Sequence, residues 1–533
     1  MMPKVTAVPT MTDLLDVRSS IGGFKMRRAT KAGVVTTILT AGCLLWILAL
    51  TPKASAIPAF SRKYQTSCAT CHSNYPELND FGEAFKRNGF KFPKDDESFV
   101  KEPPVLLGAK AQKEAFPNAI YPGEIPGTIP ISFRYSGNFN YASKRPAAVA
   151  VTGFTPRTDL FVPNTLTIIA AGSFGQNISF WIDNDISTAG SGAGGGLGDG
   201  YLKFDVGHYI GLPSRVFNVR IGQFELDLPF SQARTIYPSA FDIFSQVNMA
   251  IQPTTGTQFA TATNPFFIGT PQRGVEVGGY ANGGNFTWSV ATDDGTGSSY
   301  GVPPTIAGGV TVAGVPSLSV RNTKDVYFRV SQRFNLERDA QSRNAVQAAG
   351  STGPRDHTSI RLGGFYYHGT NESNVGNVQF PTQTLGAIQD PFYRAGADLR
   401  FKYRKMELFG VGMIGRDDNH IVDTSGVTAT VTPGPPVKFA GGFAGGNFWI
   451  HPWLIGYMRY DFVNSANDFT NSVSQYRTRN RFSPGFQLLV RANIKLIGEY
   501  QYHWGVPYTD PNPPNNTLYF RPNSFVTGID YLF

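Results

Sequence analysis

The sequence predicts an all-β transmembrane barrel of about sixteen antiparallel strands, preceded by a small α-helical N-terminal segment. Three observations carry that prediction. From residue 131 onward, apolar and polar residues alternate with period two in one stretch after another. The connections between those stretches are short and long in turn. Finally, only 16% of the 533 residues are charged while 13% are aromatic, with 58 Gly and 37 Pro, which is far from the Ala/Leu/Glu/Lys richness of helical bundles. No β-branched runs alternate with long amphipathic helices, as a soluble α/β enzyme requires. A hydrophobic content of 41% excludes a disordered chain, and three cysteines exclude a disulfide scaffold.

Residues 1–56 read as an export signal. Arg27, Arg28 and Lys31 precede the apolar run Ala32 to Leu50, which ends in Ala54-Ser55-Ala56. A basic stretch, an apolar core and a small-residue site are the three parts of a secretory signal peptide, with cleavage expected after Ala56. The basic stretch follows directly on Met26, so residues 1–25 are expected to stem from an upstream start codon. Seven of the 47 basic and two of the 38 acidic residues lie in 1–56, leaving 40 and 36, a net charge of +4. That is no nucleic-acid footprint, and no nucleic-acid partner is expected.

Cleavage leaves two cysteines, Cys68 and Cys71, in the string Cys68-Ala69-Thr70-Cys71-His72. C-x-x-C-H is the attachment pattern of one covalently bound haem c. Two thiols add to the two vinyl groups, which fixes their separation, and the histidine that follows is held under the iron as proximal ligand. Cys68, Cys71 and His72 are therefore the expected cofactor-binding residues, with His72 on the metal. A structural zinc site needs four ligands, and no further cysteine or nearby histidine is available. A helix is expected between Pro76 and Asn88-Gly89, with Leu78, Phe81 and Phe85 on one apolar face. The segment holds no second His or Met for the sixth iron site. Either the iron is five-coordinate, or a weak ligand (Lys, Asn, Tyr or water) completes it, or the remainder of the chain donates one, for which His503 and Met249 are candidates.

The haem segment spans 57–92, a Pro-rich linker 93–130 and the barrel 131–533. Strands are expected at 131–141, 164–171, 177–183, 200–206, 217–223, 273–281, 285–293, 325–334, 359–368, 393–403, 405–415, 437–448, 452–463, 479–490, 492–503 and 523–533. In the first, Ile131, Phe133, Tyr135, Phe139 and Tyr141 take one face and Ser132, Arg134, Ser136, Asn138 and Asn140 the other. An even strand number with short turns on one side and long loops on the other is the outer-membrane pattern, broken only by the long connection 335–358. The apolar face of the last strand, ending in Phe533, is similar to the terminal signal of outer-membrane barrels. The outer membrane of a Gram-negative bacterium is the expected location.

Sixteen strands leave an aqueous lumen, and the inward Arg134, Arg329, Arg333, Arg394 and Arg400 are expected either to line it as solvated side chains or to pair with haem propionates. The longest loop, 224–272, is rich in aromatics, including Phe230, Tyr237, Phe241 and Phe244. The haem segment is expected inside this lumen, because so few residues cannot surround a haem unaided. Asp417-Asp418-Asn419-His420 is the densest cluster of hard ligands in an outer loop, and a solvated loop accounts for it.

Pro58-Ala59-Phe60-Ser61-Arg62, then Cys68–His72, then Pro76-x-Leu78-Asn79-x-Phe81-Gly82-x-x-Phe85-Lys86-x-x-Gly89-Phe90 resembles the outer-membrane monohaem cytochrome–porin fusions of iron-oxidising bacteria. The specific part of this resemblance covers about residues 57–90, and the barrel part is generic. It implies oxidation of extracellular Fe(II), with the electron passed inward to a periplasmic cytochrome or copper protein. It also implies a haem segment held inside the barrel. A porin for small solutes with an accessory or sensing haem, and a haem conduit exporting electrons, are the alternative functions.

Overall fold

The structure, a computed structural model, describes residues 58–533 apart from 93–95, 107–109, 119–123, 128, 143–157, 189–195, 232–233, 246–248, 251–257, 261–262, 265, 296–304, 307–309, 312–323, 337–357, 377–383, 424–429, 466–477, 504–507, 510–517 and 520–522. The export signal and most of the connection 335–358 therefore lie outside the described residues.

Sixteen antiparallel strands close into one barrel. They are β1 (Ile131–Ala142), β2 (Thr158–Phe174), β3 (Ile178–Thr188), β4 (Leu197–Asp205), β5 (Asn218–Phe224), β6 (Gln272–Ala281), β7 (Phe286–Asp293) and β8 (Asp325–Asn335). The second half comprises β9 (Ser359–Gly376), β10 (Thr384–Tyr403), β11 (Met406–Asp417), β12 (Val437–His451), β13 (Leu454–Ser465), β14 (Thr478–Arg491), β15 (Ile494–His503) and β16 (Ser524–Leu532). β16 pairs with β1, Leu532 opposite Arg134 and Ser524 opposite Ala142, so no edge remains. Every expected strand is present. Several run longer than the alternation indicated: β2 starts at Thr158, and β9 and β10 continue the ladder up to Gly376 opposite Thr384. Beyond the lipid band the backbone still pairs, but the outward side chains need no longer be apolar.

Closure and the outer surface define the environment. Outward positions such as Val326 and Phe328 on β8, Leu399 on β10, Ile414 on β11 and Phe486 on β14 are exposed, at 37–52% for these and their neighbours Val490 and Phe525. A band of exposed apolar side chains on a closed sheet satisfies the two demands of hydrocarbon, apolar contact and paired backbone. Near the short turns, aromatic pairs mark the interfacial girdle: Phe133 stacks on Phe533 at 5.4 Å and Tyr135 on Tyr531 at 5.0 Å.

The lumen departs from the expected aqueous channel. The described part of the β5–β6 connection, residues 225–271, folds inward and forms a plug. Phe230, Tyr237, Phe241 and Phe244 from the plug meet Phe409, Phe443 and Tyr457 from the wall, with Phe241 stacked on Phe443 at 4.3 Å. Phe241, Phe244 and Phe443 are each 1% exposed, so this layer is dry. Truncating one such ring costs about 3–5 kcal/mol in a well-packed core.

The inward arginines hold carboxylates instead of lining water. Arg329 pairs with Asp398 (2.8 Å), Arg394 with Asp417, and Arg134 with Asp530 (2.9 Å). Arg459, fully buried, donates to the carbonyls of Ser239 (3.1 Å) and Ala240 (2.7 Å) in the plug and to Asp461 (2.7 Å). An Arg459→Met substitution leaves Asp461 with Arg481 as its remaining cation. Breaking a buried pair costs about 3–5 kcal/mol, so the expected outcome is a lower temperature for the shift from folded to unfolded mobility on gels.

Candidate functional site

The N-terminal segment lies inside the barrel, at the end where the short turns are. The backbone N–H of Ala59 donates to Ser132 Oγ on β1 (2.9 Å), and Lys495 on β15 donates to the Tyr75 carbonyl (2.6 Å). Asn74 bonds Gln487 on β14, Asp80 meets Arg333 on β8 (3.1 Å), and Glu77 meets Arg400 on β10 (3.7 Å). Arg215, in the β4–β5 turn, donates to the Asn88 carbonyl (3.1 Å). Contacts to strands all round the wall seat the segment across the lumen, beneath the plug.

Local chemistry shapes the segment. Helix α1 (Ala59–Tyr64) and helix α2 (Asp80–Arg87) flank the Cys-x-x-Cys-His string. The expected helix start at Pro76 is corrected: Glu77–Leu78 pairs with His72–Asn74 in a short ladder, and Asn79 is the N-cap, its Oδ1 accepting from Gly82 N (2.8 Å). Asn79 also holds the motif, its N–H donating to the Cys71 carbonyl (2.9 Å) and its Nδ2 to the Thr70 carbonyl (3.0 Å). Helix α2 approaches so closely that a Cβ on Gly82 would stand 2.0 Å from the Cys71 carbonyl oxygen.

Cys68, Cys71 and His72, the three residues singled out by spacing, all line one cavity of about 530 Å³. Its apolar wall is aromatic: Phe60, Tyr64, Phe85 and Phe90 from the segment, and Trp181 from β3. Phe60 meets Phe85 edge-on at 5.0 Å and Phe90 lies 5.8 Å from Trp181. On the opposite side stand Ile497, Ile529 and Leu532 of the barrel wall. The two cysteines form no disulfide. Burial raises both, Cys71 to about 12, so they stand as protonated, weakly polar groups facing the cavity.

His72 Nδ1 lies 3.2 Å from the Pro76 carbonyl. A carbonyl only accepts, so Nδ1 carries the proton and Nε2 keeps its lone pair for a metal. Burial pushes the ring down to about 4, which keeps it neutral at physiological pH. The donor set, the imidazole orientation and the aromatic walls fit a covalently held haem c. Neither His503 nor any methionine is among the residues lining the cavity, and the Met249 side chain lies outside the described ones.

The outer-loop cluster does not converge. Asp417 goes to Arg394, Asp418 to Arg416 (2.9 Å) and His420 to Asp390 (2.6 Å). Among the described residues no group of three or more His, Cys, Asp or Glu is placed to hold a metal ion. Sequence reasoning missed Trp181, Gln487 and Lys495, whose strand periodicity shows only that they face inward or outward. Asn79 and Gly82 stood within the quoted motif without an assigned role.

Sixteen closed strands, an apolar belt and a filled lumen make this an outer-membrane β-barrel of porin-like architecture, a form found in Gram-negative outer membranes. No protein-family model and no curated protein matches the chain. Among solved structures it is similar to Salmonella typhi OmpF in complex with daunomycin, at TM-score 0.43 and 9% identity over 76% of this chain and 98% of that one. It is also similar to OprB of Pseudomonas putida (TM-score 0.39, 11% identity, 80% and 96% covered). The outer-membrane channel DcaP of Acinetobacter baumannii gives 0.38 and 12% identity over 76% and 96%. The assignment to the outer membrane rests on the closed sheet and its belt.

Proposed function

We propose that the protein is an outer-membrane c-type cytochrome that oxidises extracellular Fe(II) and passes the electron inward to a periplasmic cytochrome or copper protein. This places it with the monohaem cytochrome–porin fusions that its N-terminal string resembles. One observation carries the proposal: Cys68, Cys71 and His72 face a single aromatic cavity inside a membrane-spanning barrel. A bound haem supplies the one-electron couple that matches Fe(II) to Fe(III). Cys68 and Cys71 hold it by thioethers, and His72 Nε2 ligates the iron. Phe60, Tyr64, Phe85, Phe90 and Trp181 exclude water from it. On this reading the aromatic plug would hinder ions, so that charge crosses as an electron while poorly soluble Fe(III) stays outside.

A second function is a porin for small solutes with an accessory or sensing haem, and the porin-like barrel favours it. The dry aromatic layer across the lumen opposes it. The deciding experiment adds Fe(II) anaerobically to purified, oxidised protein and follows the haem bands. Rapid appearance of the reduced spectrum is expected. No reduction, together with ohmic conductance in planar bilayers, overturns the proposal in favour of the porin.

The Gly82 contact yields a subtler expectation. Gly82→Ala forces the Cys71 carbonyl away from helix α2. Haem-stained protein per unit of total protein should fall several-fold, with barrel assembly intact on unheated gels.

A further inference from the structure

Beside the cavity that holds Cys68 and His72 lies a second one, of about 170 Å³, between helix α2, the plug and strands β8–β10. Six cationic side chains line it against four carboxylates. Four of those cations are matched. Arg329 pairs with Asp398 (2.8 Å), Arg400 with Glu407 (2.9 Å), Arg234 with Asp199 (2.5 Å) and Arg87 with Glu83 (3.8 Å). Lys86 and Arg361 remain. Neither makes an ion pair or a side-chain hydrogen bond among the described residues. Glu83 acts on both electrostatically and Asp227 on Lys86, but the ion-pair contact of Glu83 goes to Arg87 and that of Asp227 to Arg329 (3.9 Å).

The wall sharpens the imbalance. Arg333, Arg361 and Arg400 stand abreast on β8, β9 and β10, each directly opposite the next in register. Like charges directly opposite are destabilising. Asp80 meets Arg333 and Glu77 meets Arg400, while the central Arg361 makes no ion pair among the described residues. Lys86 connects this pocket to the haem cavity, which it also lines. There the other cations, Arg134, Lys495 and Arg234, are all taken by protein carboxylates.

We infer that Lys86 and Arg361, both half-buried, form an oxyanion-binding site in the lumen, occupied by a carboxylate of the group that Cys68, Cys71 and His72 would hold. That identity rests on the haem proposal, under which the carboxylate is a propionate; a free oxyanion such as phosphate has the same chemistry.

The test uses the full chain in detergent with Lys86→Gln, Arg361→Gln and Lys86→Arg. In haem-loaded protein, Lys86→Gln and Arg361→Gln should each lower the reduction potential and shift the propionate bands in resonance Raman, while Lys86→Arg restores both. The covalent stain and the axial-ligand bands should not change. Inorganic phosphate should leave melting of the loaded wild type unmoved. It should raise melting of the Cys68→Ser/Cys71→Ser chain saturably, and fail to do so once Arg361→Gln is added. Phosphate stabilising the loaded wild type, but not Arg361→Gln, assigns the site to a free oxyanion. If the purified chain carries no haem, the phosphate arm still decides the site alone. Unmoved propionate bands together with no phosphate effect in either form overturn the inference. So does a changed axial-ligand spectrum in Lys86→Gln, which would make Lys86 an iron ligand.

Discussion

A Cys68→Ser/Cys71→Ser double variant is expected to lose the whole of its denaturation-resistant haem stain while still assembling as a barrel. The two thiols face one cavity, and no other cysteine lies in residues 57–533. No alternative thiol anchor therefore lies in those residues. The barrel should survive, because its sixteen ladders and its plug core are made without either sulfur. The single variants should each keep one thioether and a shifted band, the signature of an unsaturated vinyl group. A double variant that still stained after boiling in detergent would refute covalent attachment at these residues. The measurement is haem peroxidase staining of the purified protein, with and without heating.

The second large effect concerns the lumen. The intact protein should be electrically silent in planar bilayers, and a chain lacking both residues 58–128 and residues 227–269 should conduct. The first deletion removes the segment seated across the short-turn end. The second removes Phe230, Tyr237, Phe241 and Phe244, the centre of the dry layer. Neither touches the wall, where Arg329–Asp398 and Arg134–Asp530 pair strand to strand. Either deletion alone should leave the lumen obstructed at one level. Gel mobility before and after heating confirms that each variant closes its barrel. Steady conductance from the intact protein would mean that the plug does not seal the lumen, and the insulating role proposed for it would fail.

Much of this architecture is local in origin and so legible in the residues themselves. A strand in lipid must show apolar side chains outward at every second position, whatever its partners do. That is why β8, with Val326 and Phe328 outward and Tyr327 and Arg329 inward, is recognisable in isolation. The Cys-x-x-Cys-His string is legible for a similar reason, since Cys68, Cys71 and His72 fall within five residues of one another. Strand ends were less so: β10 begins at Thr384, nine residues before its alternation starts, because backbone pairing outside the membrane imposes no pattern on side chains.

Alternation tells which way a side chain points, and nothing of what it meets there. Arg333 reads as a pore-lining cation, yet its partner Asp80 lies 253 positions away. Tyr237 reads as a loop aromatic, but its hydroxyl donates to Asn447 across the lumen (2.8 Å). The sequence by itself determined the number and facing of the strands and the Cys-x-x-Cys-His spacing of residues 68–72. The lumenal seat of the N-terminal segment was expected from the sequence, but only the tertiary structure decided that the plug also fills the lumen and that Lys86 and Arg361 make no ion pair among the described residues. The first set follows from short-range rules of backbone pairing and covalent spacing. The second depends on which inward faces are brought together when the sheet closes, a relation between residues hundreds of positions apart.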